Sequence, residues 1–147
     1  MAHILVVEDE PALAQLARDT LEMGGFEVAT VTDGLDAMKF VGMVLPEELG
    51  AEPDWKFTRN DWTIDPAQPI IPDLILTDCM MPRVDGFTLV TALSQDERMR
   101  AVPVIVLTSK AKMEEPFKQL PNVKGFLAKG ASPSAVLQLV RKTLVGG

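Results

Sequence analysis

The sequence predicts an α/β domain in which five parallel strands form a doubly wound sheet with helices on both faces. Short apolar runs alternate with segments of helical period, which is the pattern of βαβ units. The runs are continuous and aliphatic, as expected for strands that are buried on both faces. A chain of 147 residues suits one domain, predicted over residues 1–147 with an inserted segment at about 44–72.

The first βα unit is well bounded in the sequence. Residues 4–7 form the first predicted strand, and Pro11 suits the first turn of the helix that follows. Gly24 and Gly25 can supply the left-handed residue that ends this helix. Its predicted buried stripe consists of five residues at helical spacing: Leu13, Leu16, Ala17, Thr20 and Leu21.

The later elements follow the same alternation, for a total of five strands and five helices. The further strands are predicted at residues 28–31, 74–77, 102–107 and 123–127. Leu35, Met38, Val41 and Leu45 predict a second helix that stops at Pro46. A turn at Asp85 and Gly86 leads into a third helix near Phe87, and Ser132 and Pro133 predict the cap and first turn of the last helix.

The inserted segment is rich in Pro, Glu and Asp and contains both tryptophans. Two interpretations stay open: a hairpin that pairs Trp55 with Ile64 and Phe57 with Trp62, or an irregular loop. We expect the tryptophans to fold back onto the domain. Our hypothesis is that the insertion supplies or shields a partner surface.

Composition narrows the possible partners and the compartment. A net charge of −7 and the absence of a Lys/Arg cluster oppose direct binding to nucleic acid or to anionic membranes. One cysteine cannot form an internal disulfide, no apolar run is long enough to cross a membrane, and we see no targeting segment. We therefore expect a cytoplasmic protein.

Acidic residues follow two of the predicted strands, where a doubly wound sheet binds its ligands. Glu8 and Asp9 follow the first strand and Asp78 ends the third. Three converging carboxylates repel one another unless a cation or retained protons relieve the charge, and Mg²⁺ prefers such oxygen ligands. A carboxylate can also accept a phosphoryl group, with Asp78 as the nucleophile and with Thr108 and Lys129 completing an anion clamp.

This arrangement resembles the receiver domain of two-component response regulators. The matching motifs, in chain order, are Glu8-Asp9, Asp78-Cys79-Met80-Met81-Pro82-Arg83-Val84-Asp85-Gly86, Leu107-Thr108-Ser109 and Phe126-Leu127-Ala128-Lys129. The resemblance implies a flavodoxin-like sheet of order 2-1-3-4-5. It also implies Mg²⁺ binding by Glu8 or its water, Asp9, Asp78 and the main-chain carbonyl of Met80.

The resemblance further implies phosphorylation of Asp78 by a histidine kinase or phosphotransfer protein. Lys129 pairs with the phosphoryl group, Thr108 follows it inward, and Phe126 occupies the position of the family's rotating aromatic switch. A downstream protein then reads the conformational change. Such a protein is no enzyme beyond catalysing its own phosphorylation and dephosphorylation.

Four features depart from the family pattern. Gly130 follows Lys129 where the family usually has a proline preceded by a cis bond, so a trans bond or a reshaped loop is expected. Pro116 and Pro121 interrupt the fourth helix, which we expect to be short or displaced. Phe126 replaces a tyrosine, and the insertion has no counterpart in a minimal receiver.

Two other functions compete with this interpretation. A degenerate receiver would act as a phosphorylation-independent interaction module, against which the intact acids, Thr108 and Lys129 argue. A metal-dependent phosphatase with an aspartyl-phosphate intermediate needs a second Asp where this chain has Met80. Among the remaining candidates, we expect Cys79 to be a buried, inert thiol and His3 to be structural, since no second ligand lies at metal-binding spacing. Met80 and Lys110 flank the site and are expected to affect the lifetime of the phosphoryl group only.

Overall fold

A computed structural model describes residues 2–42, 71–79, 84–109 and 111–146. Its five strands form one parallel sheet in the order β2-β1-β3-β4-β5, which confirms the predicted fold class. The strands are β1 (His3–Val7), β2 (Glu27–Val31), β3 (Leu74–Asp78), β4 (Val104–Thr108) and β5 (Val123–Ala128). Within the described ranges, no helix is both long and apolar enough to cross a membrane.

The described residues form four α-helices: α1 (Pro11–Met23), α2 (Gly34–Phe40) and α3 (Gly86–Gln95) lie between strands, and α4 (Pro133–Gly146) follows β5. Successive residues of each strand point to opposite faces of the sheet, so two apolar cores form. Leu5, Val7 and Ile75 pack in the core with α2 and α3. Ile4 and Val6 belong to the second core, together with Leu21 of α1 and Val140 of α4.

Local signals in the sequence set several helix ends as predicted. Gly25 has a φ of 91° after α1, a backbone conformation that only glycine adopts without strain. Asp85 caps α3, because its Oδ1 accepts a hydrogen bond of 2.8 Å from the Thr88 amide. Ser132 caps α4 in the same way, its Oγ accepting at 3.2 Å from the Ala135 amide.

One prediction about the helices was wrong, and the expected irregularity of the fourth helix took a specific form. Leu16 is 50% exposed, although the helical pattern assigned it to the buried stripe of α1. The fourth of the five predicted helices, expected to be short or displaced, is a 3₁₀ helix over Ala111–Gln119, with Pro116 inside it. Proline has no amide hydrogen, and its ring clashes with the carbonyl four residues earlier, so this segment cannot form regular α-helix.

The insertion predicted at about 44–72 falls mainly on residues 43–70, which lie outside the described part of the chain. The alternative of hairpin or loop for Trp55 to Ile64 lies there too. So do Leu45 and Pro46, the predicted end of the second helix. The described part of that helix ends at Phe40 with Val41 as its cap, and Gly42 follows with a φ of 78°.

Candidate functional site

Three carboxylates meet at the carboxyl edge of the sheet. Because β1 and β3 are parallel neighbours, with Val7 opposite Thr77, the residues that follow β1 lie beside Asp78 at the end of β3. One carboxylate oxygen from each of Glu8, Asp9 and Asp78 lies within 4.8 Å of the others. Glu8 and Asp78 are buried, whereas Asp9 is exposed. The site is therefore open on the side of Asp9.

Lys129 joins this cluster from the end of β5. Its Nζ lies 2.6 Å from Asp78 Oδ2 and 3.5 Å from Glu8 Oε1. The Lys129 amide donates a hydrogen bond of 2.8 Å to the Thr108 carbonyl, which fixes the start of the side chain next to β4. Gly130, the next residue, has a φ of 86°, and no peptide bond in the described residues is cis. The bond between Lys129 and Gly130 is therefore trans, one of the two outcomes expected.

Thr108 and Phe126 lie on the same face of the sheet. Thr108 ends β4 opposite Ala128, and Val106 is opposite Phe126, so the two residues share strand parity. Thr108 is buried at the carboxyl edge, while Phe126 is half-buried against the core of α2 and α3.

The electrostatics favour a cation at the acidic cluster. Burial raises the pKa of Glu8 to about 7, and the negative charge of Asp78 contributes in the same direction. Glu8 Oε2 accepts a hydrogen bond from the Glu10 amide at 3.1 Å. Glu8 Oε1 is buried and accepts no hydrogen bond from the described residues. Lys129 Nζ at 3.5 Å is the one cation near this oxygen in the described residues, and the all-oxygen donor set fits a hard divalent ion such as Mg²⁺.

Lys129 is held in its charged form. Partial burial acts to lower its pKa, but the hydrogen bond to Asp78 and the charges of Glu8 and Asp78 outweigh this, so the pKa is raised. The raised pKa favours the ammonium form of Lys129 beside Asp78 and Glu8. This ammonium group neutralises part of the acidic cluster when no other cation is bound.

Two glycines that the sequence analysis did not assign to the site lie against its backbone. Gly86 donates a hydrogen bond of 2.9 Å from its amide to the Cys79 carbonyl, and a Cβ at Gly86 would contact the Asp78 carbonyl oxygen. Gly34 donates to the Val84 carbonyl at 3.0 Å. For Gly86, the sequence held one signal of this contact: a glycine directly after the turn at Asp85. Glycine permits close approach of another backbone segment because it has no Cβ.

The remaining candidates lie as follows. Cys79 is buried, as predicted, and burial raises the pKa of its thiol to about 11, which disfavours the reactive thiolate. His3 Nδ1 lies 2.8 Å from Glu27 Oε2 at the opposite end of the sheet, away from the acidic cluster. Met80 and Lys110 lie outside the described residues, so the predicted carbonyl ligand is not among the groups described above.

Comparison with known proteins defines the class. The family model of the response regulator receiver domain matches residues 59–141, more than half of the chain. The chain therefore belongs to the receiver domains of two-component response regulators, which are signalling modules rather than enzymes in the usual sense and bind Mg²⁺ at an acidic site.

Two curated relatives illustrate the range of the family. The chain is 30% identical over 145 residues to the DNA-binding dual master transcriptional regulator RpaA of Synechocystis, covering 98% of this chain and 49% of RpaA. It is 26% identical over 142 residues to the polar-differentiation response regulator DivK of Brucella ovis, covering 96% and 94%. The chain thus spans about half the length of RpaA but nearly all of DivK.

Solved structures share the fold. The receiver domain of a signal transduction histidine kinase from Syntrophus aciditrophicus superposes with a TM-score of 0.74 at 25% identity, covering 99% of this chain and 92% of that one. The receiver domain of the sensor histidine kinase PA1611 from Pseudomonas aeruginosa PAO1 gives a TM-score of 0.72 at 24% identity, with coverage of 99% and 98%. That structure has a magnesium ion coordinated in its active-site cleft.

Proposed function

We propose that this receiver domain accepts a phosphoryl group on Asp78 and passes the signal to a partner protein by changing conformation. The observation that carries the proposal is the buried Asp78 carboxylate, with Lys129 Nζ at 2.6 Å and two further carboxylates beside it. A buried nucleophile with a fixed cation and room for a metal is what phosphoryl transfer to a carboxylate requires.

Glu8, Asp9 and Asp78 are the side chains proposed to hold Mg²⁺, together with the Met80 carbonyl implied by the family. The all-oxygen donor set, and the buried Oε1 of Glu8 that accepts no hydrogen bond from the described residues, support this assignment. When bound, the ion supplies positive charge that neutralises the oxygens of the transferred group. The magnesium ion in the PA1611 receiver supports the same proposal by analogy.

In the proposed reaction a carboxylate oxygen of Asp78 forms a bond to phosphorus, and the bond from phosphorus to the donor atom breaks. The leaving group, which is a histidine nitrogen or an acyl phosphate's carboxylate, departs with the electron pair. Lys129 exchanges its contact with the Asp78 carboxylate for one with the phosphoryl oxygens, which keeps the ammonium paired throughout. Asp78 becomes an aspartyl phosphate.

Thr108 and Phe126 are the proposed switch. Thr108 ends β4 and Asp78 ends β3, and the two strands are parallel neighbours. The Thr108 hydroxyl can therefore donate a hydrogen bond to a phosphoryl oxygen on Asp78. Inward movement of Thr108 vacates space on the face that it shares with Phe126, into which the half-buried ring turns. The surface beside β5 then differs between the two states and is available for a partner to recognise.

We further propose that the donor is a histidine kinase or phosphotransfer protein and that a downstream protein reads the output. The assignment of residues 1–147 to one receiver domain with an insertion at about 44–72 belongs to this proposal. So do a cytoplasmic location and the expectation that this domain does not itself contact nucleic acid, which its net charge of −7 supports.

A second candidate is a constitutive interaction module that does not depend on phosphorylation. The 3₁₀ helix over Ala111–Gln119 favours it, because this element replaces the regular fourth helix next to β5. The surface formed by this 3₁₀ helix would then bind a partner in a single conformation, whether or not Asp78 is phosphorylated. The buried pair between Lys129 and Asp78 argues for the phosphorylated module.

The test is incubation of the purified chain with Mg²⁺ and acetyl phosphate or phosphoramidate, followed by intact mass. We expect one phosphoryl adduct in the wild type, none in Asp78→Asn, and none when a chelator removes the metal. Asp73→Asn is the matched control, because Asp73 lies at the other end of β3 and should leave the adduct unchanged. A wild type without adduct would favour the constitutive module.

A further inference from the structure

The segment that follows the phosphoryl acceptor is held at both of its described ends by a glycine. Gly86, the first residue of α3, donates its amide hydrogen to the Cys79 carbonyl at 2.9 Å. Gly34, the first residue of α2, donates to the Val84 carbonyl at 3.0 Å. The start of each helix therefore contacts the backbone on one side of residues 80–83.

Neither glycine has space for a side chain. A Cβ at Gly86 would meet the Asp78 carbonyl oxygen, and it would approach the Cys79 Cα to 3.0 Å. A Cβ at Gly34 would lie 2.5 Å from the Val84 carbonyl oxygen and 2.8 Å from Val84 Cγ1. Cβ contacts below 3.0 Å essentially never occur, so an added methyl group must displace this backbone.

The reason for these glycines is contact and not backbone conformation. Positive φ values among the described glycines occur at Gly25, Gly42 and Gly130, and neither Gly34 nor Gly86 is among them. Alanine is accordingly compatible with the backbone at both positions and is the better helix former. The effect of Gly→Ala at either site is then confined to the clash with the segment next to Asp78.

We propose that Gly34 and Gly86 are positioning residues, whose missing Cβ atoms let α2 and α3 seat the segment of Asp78, Cys79 and Val84 for phosphoryl transfer. The inference rests on the proposed phosphorylation of Asp78. Gly86 acts on the peptide group of the acceptor itself, so its substitution has the larger effect. Gly34 acts through Val84, which is buried in the core of α2 and α3 and transmits the displacement.

The experiment compares Gly86→Ala, Gly34→Ala and Gly24→Ala with the wild type. Gly24 is the matched control: its Cβ would also meet an atom at 2.5 Å, but that atom is the end of the flexible Leu137 side chain, remote from Asp78. The rate of adduct formation is measured over a range of phosphoramidate concentrations with saturating Mg²⁺. Thermal unfolding midpoints are measured in parallel, and every rate is taken well below the midpoint of each variant.

Displacement of a reacting group by about 1 Å can lower a rate about 100-fold. We therefore expect the maximal rate to fall about 10- to 100-fold in Gly86→Ala and about 3- to 10-fold in Gly34→Ala, with the donor concentration at half-maximal rate little changed. Gly24→Ala should keep the wild-type rate. A purely structural role would lower the unfolding midpoints and leave the rate of the folded protein unchanged.

Rates within twofold of wild type in folded Gly86→Ala and Gly34→Ala would overturn the inference while leaving the proposed function intact. If Gly86→Ala does not fold, Gly34→Ala decides by the same criterion, because its clash falls on Val84 and not on the strand. A wild type that forms no adduct would instead reject the proposed function, so the two failures are distinguishable.

Discussion

Each end of the sheet carries a close contact between a side-chain nitrogen and a carboxylate, and the two contacts differ in environment far more than in distance. At the amino end, His3 Nδ1 lies 2.8 Å from Glu27 Oε2, with side chains 40% and 43% exposed. At the carboxyl end, Lys129 Nζ lies 2.6 Å from Asp78 Oδ2, with side chains 24% and 3% exposed. The two pairs therefore differ in the burial of their side chains and not in the distance between their atoms.

Water screens the pair of His3 and Glu27 and solvates both side chains when they separate. This pair therefore contributes little to the free energy of unfolding. The second pair lies beside a further buried carboxylate, that of Glu8, so loss of Lys129 leaves the buried carboxylates without a compensating positive charge. The carboxyl end therefore keeps charges in a costly arrangement that a metal ion or a phosphoryl group can relieve. The amino end has no comparable cluster in the described residues.

The largest effect is expected from removal of the Lys129 ammonium group at the carboxyl end of the sheet. Lys129→Met should lower the rate of phosphorylation about 100-fold, as does loss of one electrostatic donor in enzymes that transfer acyl groups. Without metal it should also lower the free energy of unfolding by about 2 kcal/mol, less than the loss from a fully buried pair because Lys129 is partly exposed. Urea unfolding in chelator and intact-mass time courses measure the two effects. A variant equal to wild type in both would remove the proposed role of Lys129.

Metal binding should stabilise the protein through the same end of the sheet. Mg²⁺ at about 100 times its dissociation constant should raise the free energy of unfolding by about 2.7 kcal/mol. Asp9→Asn should lose most of this gain, because it removes the exposed ligand of the cluster without disturbing the core. Glu27→Gln is the matched control and should keep the full gain. Equal stabilisation of Asp9→Asn and Glu27→Gln would place the metal elsewhere.

The smallest effect is expected at the amino end. His3→Ala should change the free energy of unfolding by less than about 1 kcal/mol, since an exposed pair contributes 0 to 1 kcal/mol. Phosphorylation of this variant should proceed at the wild-type rate, because His3 lies at the start of β1 and the acids follow its end. Urea unfolding and intact mass are again the measurements. If His3→Ala lowered the free energy of unfolding or the phosphorylation rate as much as Lys129→Met does, the proposed difference between the two ends of the sheet would be wrong.

The sequence was sufficient for the fold class and for the convergence of the carboxyl-edge residues. Continuous aliphatic runs ending in Glu8, Asp9 and Asp78 predict parallel strands, and parallel strands bring their carboxyl ends to one edge. The late Lys129 joined them for the same reason, as the residue after β5. These inferences need only periodicity and strand direction.

What the sequence could not supply depends on neighbours in space. Helical period assigns Leu16 to an apolar stripe, but coverage depends on α4, and Leu16 borders a groove between α1 and α4. Gly34 and Val84 are distant in sequence, so their contact leaves no local pattern. Pro116 signals an interrupted helix, but whether the segment shortens, moves or becomes 3₁₀ depends on packing against β4 and β5.

The central claim is that Asp78 itself carries the phosphoryl group. Borohydride reduces an aspartyl phosphate to homoserine, so reduction of the phosphorylated wild type followed by peptide mass spectrometry identifies the modified residue directly. We predict homoserine at position 78 and unmodified aspartates at positions 9, 73 and 85. Homoserine at another position, or an adduct that resists reduction, would contradict the assignment.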